Sequence, residues 1–334
     1  MAESLNATFF SFRKREQGGV LLGASIAYAV VMLVFTLGFC AAAFMMLGGM
    51  DFVHWYADTI ATVGKGGGAI PSTPPNLGAI FLIFPLEMIF LFFFAVLLAS
   101  FESSCLRWMI RGERSKPFNL CFGADMWRVY ATYWVWFLYF LCTGILFWIF
   151  MLVFALIGGA VGGRDNPMVA GLVVSIACIA WILGWTYVAV RLAPAAATSI
   201  GVGHFAPLKA WSVSRGRFWA LLGSYLLLML LYIVAAIVVG GIAMGPFYAS
   251  VFSHVDWSTM GSDPQGFSRS YQAANMQALQ SLLANPASIA LYVGGQILVY
   301  AVGLVFYLLF YGVNARAVQA ALEEGKVTLA PPTS

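Results

Sequence analysis

Charge is scarce in this chain. Asp, Glu, Lys and Arg make up 9% of its 334 residues, against roughly 25% in an ordinary soluble domain. That deficit excludes a normally solvated surface. It also leaves little material for catalysis, because no pair of carboxylates, Ser-His-Asp set or Cys-His set falls in a recognisable pattern, and the expectation is a chain that is not an enzyme. Cysteine is sparse as well: Cys40, Cys105, Cys121, Cys142 and Cys178 form no CxxC and no Cys/His cluster, which argues against a zinc or iron-sulfur site and against a disulfide framework. No His lies within a long apolar run, so haem ligation has no support. The glycine-rich stretches GKGGG and GGAVGG do not match a phosphate loop. No cofactor is expected. A basic-aromatic stripe on a soluble domain is also missing, which excludes nucleic acid as a partner.

What is present is hydrocarbon. Apolar residues make up 62% of the chain, gathered into runs over 20–47, 77–100, 129–157, 168–190, 218–247 and 286–313. A hydrocarbon core about 30 Å thick needs roughly 20 apolar residues in a helix, and all six runs meet that length. They are apolar all round, whereas barrel strands alternate polar and apolar. The predicted fold is therefore all-α: a polytopic transmembrane bundle of six spans with short interfacial helices. Its parts are an N-terminal arm (1–19), a membrane domain (20–313) and a tail (314–334).

The few charges are placed asymmetrically. Fourteen of the seventeen Lys and Arg residues lie on one side of the six runs, leaving Lys65, Arg164 and Arg269 on the other. Positive charge beside a span resists translocation, so both termini are expected in the cytoplasm. The first run follows FRKR but is about twice the 7–15 residues of a signal h-region, and it is expected to remain as an anchor.

The connections are read in the same way. Residues 48–76 are rich in Gly and Pro (GKGGGAIPSTPP) and are expected to be irregular. Residues 101–127 and 191–217 mix apolar and basic residues, as short helices lying on the inner surface would. Pro117 with Trp127-Arg128, and Pro207 with Arg217-Phe218-Trp219, recur about 90 residues apart, which a duplicated two-span unit would produce and which a shared need for interfacial aromatics and Arg at the entry to a span would produce as well. In 250–285, Phe267, Tyr271, Ala274, Ala278 and Leu282 follow helical spacing and predict an interfacial helix on the outer leaflet. The tail GKVTLAPPTS is expected to lack fixed structure.

Three groups of residues remain as candidates. Glu87, in FLIFPLEMIF, is an acidic residue about ten positions into the second run, where an ionisable group costs about 2.5–3.5 kcal/mol on insertion scales. It must meet protein, water or a partner. One resolution is a protonated carboxyl bonded to a Tyr, Ser or Thr of another helix; another is a cavity beside Pro85, which leaves the Phe81 carbonyl unpaired. His54 with Asp58 and His254 with Asp256 offer two nitrogens and two oxygens to a zinc or copper ion if two distant loops converge. His beside Trp and Tyr is also an ordinary feature of a membrane surface. Arg191, Arg215 and Arg217 are the candidates for phosphate headgroups, because a guanidinium fork matches phosphate oxygens. Their other role is to set topology.

The segment Arg191-Leu192-Ala193-Pro194, followed by Ala210-Trp211-Ser212-Val213-Ser214-Arg215-Gly216-Arg217-Phe218-Trp219, resembles the membrane region of the family named after glycerophosphoryl diester phosphodiesterase membrane domains. The likeness covers the second half best. It implies a multi-pass protein of the bacterial inner membrane. It implies no hydrolysis, since the chain lacks the soluble barrel with acidic and histidine residues that the reaction needs. The combined expectation is a non-enzymatic protein that binds anionic phospholipids or organises a membrane complex, with a membrane-protein partner or a second copy. The alternative is a small transporter or permease using Glu87. A third reading, a lipid-modifying enzyme, would draw on the outer His and Asp residues.

Overall fold

The computed structural model describes residues 7–13, 19–64, 76–115, 118–162 and 167–330. Arg13's side chain, Lys14, Arg15, Lys65, Lys116, Pro117 and Arg164, together with the Gly/Pro run from 65 to 75, lie outside what it describes. Eleven α-helices are found among the described residues: α1 (Phe10–Arg13), α2 (Gly19–Leu47), α3 (Met50–Gly64), α4 (Leu77–Arg111), α5 (Ala124–Gly162), α6 (Pro167–Leu192), α7 (Ala195–Val202), α8 (Ala210–Val213), α9 (Phe218–His254), α10 (Pro264–Ala284) and α11 (Pro286–Glu323). No strand occurs among those residues, and six of the helices are long and apolar enough to cross a membrane. The chain is an all-α, multi-pass membrane protein. In lipid, a backbone must satisfy its own N–H and C=O groups, which a helix does within one segment. The helices show their solvent through their surfaces: Phe81 is 78% exposed and Trp148 74%, exposure that hydrocarbon tolerates and water does not.

Several helices outrun their apolar runs. α4 continues from residue 100 to Arg111, α5 begins at Ala124, and α11 reaches Glu323. Residues 101–111 therefore extend a span, in place of the separate surface helix expected there. The connection at 193–217 does contain short helices, α7, α8 and a 3₁₀ turn at Pro207–Lys209. Local chemistry sets their ends. Gly203, at φ +73°, closes α7 by donating its N–H to Ser199 O and Ile200 O. Asp263 caps α10, its carboxylate accepting from Gly266 N at 2.9 Å, with Pro264 in the first turn.

The chain divides into two compact units. The first comprises 1–28, 95–228 and 308–334. Its core is formed by fully buried Phe101, Leu106, Met109, Val129, Ile200, Val213, Val313 and Val318, with Tyr28 stacked on Phe101 at 4.8 Å. α5 and α6 pack closely because Gly158 has no side chain: a Cβ there would lie 3.2 Å from Ala170 Cα. The described part of the tail is held in place. Val327 is buried and Ala330 N donates to Gly201 O at 2.9 Å. The expectation of a structureless tail missed this because a backbone bond leaves no trace in composition.

The second unit comprises 29–94 and 229–307. Phe35 and Phe39 pack on Phe90 at 5.2 and 4.3 Å, joining α2 to α4. The predicted outer helix is α10; its Ala274 and Ala278 form a core with Val251 and Val255, flanked by Phe247 and Phe267. Residues 50–64 form helix α3 where an irregular loop was expected. Phe52, Trp55 and Tyr56 supply the helical spacing that the following Gly/Pro run obscured.

Candidate functional site

Six arginines of the first unit fall into two groups. The first three, Arg107, Arg111 and Arg128, are drawn into ion pairs with two carboxylates. Asp125, in the first turn of α5, accepts a hydrogen bond from Arg111 Nη1 at 3.3 Å, forms an ion pair with Arg107 whose Nε lies 3.5 Å away, and pairs with Arg128 as well. Glu113 takes the other end of Arg107 at 2.5 Å. The side chains of Arg111 and Asp125 are only 2% and 4% exposed. Arg111 donates its other terminal nitrogen to Ile200 O, tying the C-terminal end of α4 to α7. A carboxylate in a first turn also meets the positive end of the helix dipole. These arginines join α4, α5 and α7, with Arg107 Nε and Arg111 Nε buried without a hydrogen-bond partner.

The second group contains the three arginines singled out by sequence. Arg191, in the last turn of α6, lies over the rings of Tyr187 and Trp211, at 5.3 and 5.5 Å, and donates to Tyr187 Oη at 3.2 Å. Its Nε and Nη1 are buried without a hydrogen-bond partner. Ser214 Oγ donates to Arg191 O at 3.2 Å, which holds the α8 turn against the end of α6. The next residue, Arg215, is exposed, and its carbonyl accepts Lys326 Nζ at 3.1 Å. Gly216, at φ +83°, turns the chain into α9. Arg217 then reaches the end of α11, pairing with Glu324 and donating to Ala320 O at 3.3 Å. Lys326 also pairs with Glu324 at 2.7 Å. The Glu324 carboxyl is held below its usual range by the hydrogen bond from Lys326 and the charge of Arg217.

No family model, curated protein or solved structure matches the chain. Function must therefore be argued from the geometry alone.

The remaining candidates lie in the second unit. Glu87 is exposed on α4, among exposed Phe84, Met88 and Leu91. His54 and Asp58 lie exposed on α3. His254 contacts Ser250 O at 2.7 Å, and Asp256 caps the turn at Trp257–Thr259 by accepting from Ser258 N at 3.1 Å. Among the described residues, no group of three or more His, Cys, Asp and Glu could hold a metal ion, so these four are not brought together as ligands.

Two features escaped the sequence. Glu102 is buried in α4 and accepts from Tyr133 Oη of α5 at 2.7 Å. This is the carboxyl-to-tyrosine bond between helices that was considered for Glu87. The signal was present in FESSCLRWMIR, whose apolar positions Phe101, Cys105, Leu106 and Met109 keep helical spacing past the end of the apolar run. The second is Arg316, assigned by sequence to the tail, which α11 carries to within one cavity of Arg217.

Proposed function

We propose that the chain is a non-enzymatic protein of the bacterial inner membrane that holds anionic phospholipid at its arginine-bearing face, as a lipid-interacting or organising component of a membrane complex. One observation carries this reading: Arg191 lies against the edge-to-face pair of Tyr187 and Trp211, 5.3 and 5.5 Å from their rings, with two guanidinium nitrogens lacking a hydrogen-bond partner, and the exposed Arg215 follows Ser214, whose hydroxyl bonds the Arg191 carbonyl. The cation–π contacts and the bond to Tyr187 Oη hold the guanidinium in place and so lower the cost of ordering it on a phosphate. Basic residues beside an anionic leaflet contribute about 1 kcal/mol each. With both termini in the cytoplasm, as the charge asymmetry supports, this face meets the inner leaflet. The family resemblance agrees in class and adds no residue role.

The test is replacement of Arg191, Arg215 and Arg217 together by Gln, followed by native mass spectrometry of protein extracted in mild detergent. Loss of co-purifying anionic phospholipid with unchanged orientation is expected. Undiminished retention would remove the lipid role, and a reproducible protein partner would favour the organising role.

A second reading rests on the exposure of Glu87 within an apolar surface. A carboxyl there must meet water, protein or a cation, as in a small transporter. Proton- or cation-coupled flux in proteoliposomes, abolished by Glu87→Gln, is its expected signature; flux indifferent to that change defeats it.

A further inference from the structure

A cavity of about 150 Å³ opens in the first unit, lined by Ala7, Arg217, Ala220, Leu221, Arg316 and Ala317, with Ala320 beside them. Three segments build it. The N-terminal arm contributes Ala7, and it lies along α11 because Gly312 leaves room: a Cβ at 312 would stand 3.0 Å from Ser11 N. Thr8 and Ser11 of the arm are buried. The first turn of α9 contributes Ala220 and Leu221, and α11 contributes Arg316 and Ala317. The alanines keep the space open, while the two arginines give it its chemistry.

The charges do not cancel. Arg217 and Lys326 share Glu324, and Arg316 pairs with Glu323 at 2.7 Å. Three cations thus face two carboxylates. Arg217 Nη1 is buried with no hydrogen-bond partner, an expensive condition for a charged donor. Ala220, in the first turn of α9, has a backbone N–H without an intrahelical carbonyl, while Leu221 N bonds to Arg217 O at 3.0 Å. The volume lies below the roughly 300 Å³ of a pocket for a drug-sized molecule, so the occupant is compact.

We propose that this cavity binds one phosphate group, gripped by Arg217 and Arg316, with Ala7 of the N-terminal arm against it. The occupant is either the headgroup phosphate of an inner-leaflet lipid or a free phosphate. The site deepens the lipid reading and depends on it only for the source of that phosphate. Glu323 and Glu324 are the competing carboxylates, so the grip is moderate and exchangeable.

The test uses the full chain in mild detergent, as wild type, Arg316→Gln, Ala220→Leu and, as a charge-matched control in the second unit, Arg269→Gln. Each is incubated with mixed phosphatidylglycerol and phosphatidylcholine for native mass spectrometry, and separately with inorganic phosphate for thermal melting. If the source is lipid, wild type and Arg269→Gln retain one phosphatidylglycerol per chain, and Arg316→Gln and Ala220→Leu lose at least about tenfold in occupancy. If the source is free phosphate, no lipid is selected, but inorganic phosphate raises the melting temperature of wild type and Arg269→Gln and not of the two cavity variants. Cavity variants that match wild type in both measurements overturn the proposal. In that event, lipid still lost on triple replacement of Arg191, Arg215 and Arg217 would leave the broader reading intact.

Discussion

Arg111 and Asp125 form an ion pair at 3.3 Å with side chains 2% and 4% exposed, joining the C-terminal end of α4 to the start of α5. Asp125 is the hub, since Arg107 and Arg128 also converge on it. Asp125→Asn would leave three arginines with Glu113 as their remaining carboxylate. Removing one partner of a buried pair costs about 3–5 kcal/mol. The expected outcome is a large fall in melting temperature in detergent; a variant that melts like wild type would show that the cluster is solvated and of little weight.

The Glu102–Tyr133 bond predicts a contrast between two conservative changes. Tyr133→Phe removes the donor and leaves a buried carboxyl oxygen unmet, at a cost of about 1–3 kcal/mol. Glu102→Gln keeps an oxygen that can accept from Tyr133 Oη and should cost less. Thermal melting of both variants checks the order, and equal losses would mean that the bond does not govern stability.

The architecture was legible where physics acts over a whole segment. Six runs of hydrocarbon length admit one class of backbone solution, and the helices α2, α4, α5, α6, α9 and α11 occupy them. Legibility failed where charges pair across helices. Arg107 and Arg111 read as an exposed cytoplasmic segment, but Asp125, fourteen residues beyond Arg111, removes their need for water and lets the helix continue. The site was half legible. Arg215 and Arg217 stand together in sequence, with Arg191 at the start of the same connection, and could be named, whereas Arg316 lies about a hundred residues away and joins Arg217 only through the fold. Aromatic stacking on Arg191 is likewise a tertiary fact, because Trp211 is twenty positions from it.

Neighbouring glycines in α5 should respond differently to the same change. A Cβ on Gly158 would lie 3.2 Å from the Ala170 Cα and carbonyl oxygen, which belong to backbone and cannot swing aside, while Gly159 has nothing within 4 Å. Gly158→Ala should force α5 and α6 apart and cost about 1–3 kcal/mol, the usual range for overpacking. Gly159→Ala should be neutral or slightly stabilising, since Ala is the better helix former. Melting of the pair in one detergent is the measurement, and equal behaviour would contradict the close approach.

The Glu324 tether has a definite pH dependence. Its carboxyl is ionised between Lys326 at 2.7 Å and Arg217, and both hold its folded value below the ordinary one of 4.5, Lys326 first through its hydrogen bond. A depressed carboxylate stabilises the folded state above its unfolded value, and that contribution disappears as pH falls through the lower folded value. The turn it fastens, where Lys326 N bonds to Ala321 O at 2.9 Å, should therefore loosen only below pH 4.5. Because Glu324 is 44% exposed, salt should weaken the tether at neutral pH as well. Hydrogen exchange at the 321–327 amides, corrected for intrinsic rates, should quicken below that pH in wild type. Glu324→Gln should show the faster exchange at every pH, with no acid step. A step that persists in the glutamine variant would assign the titration to another group.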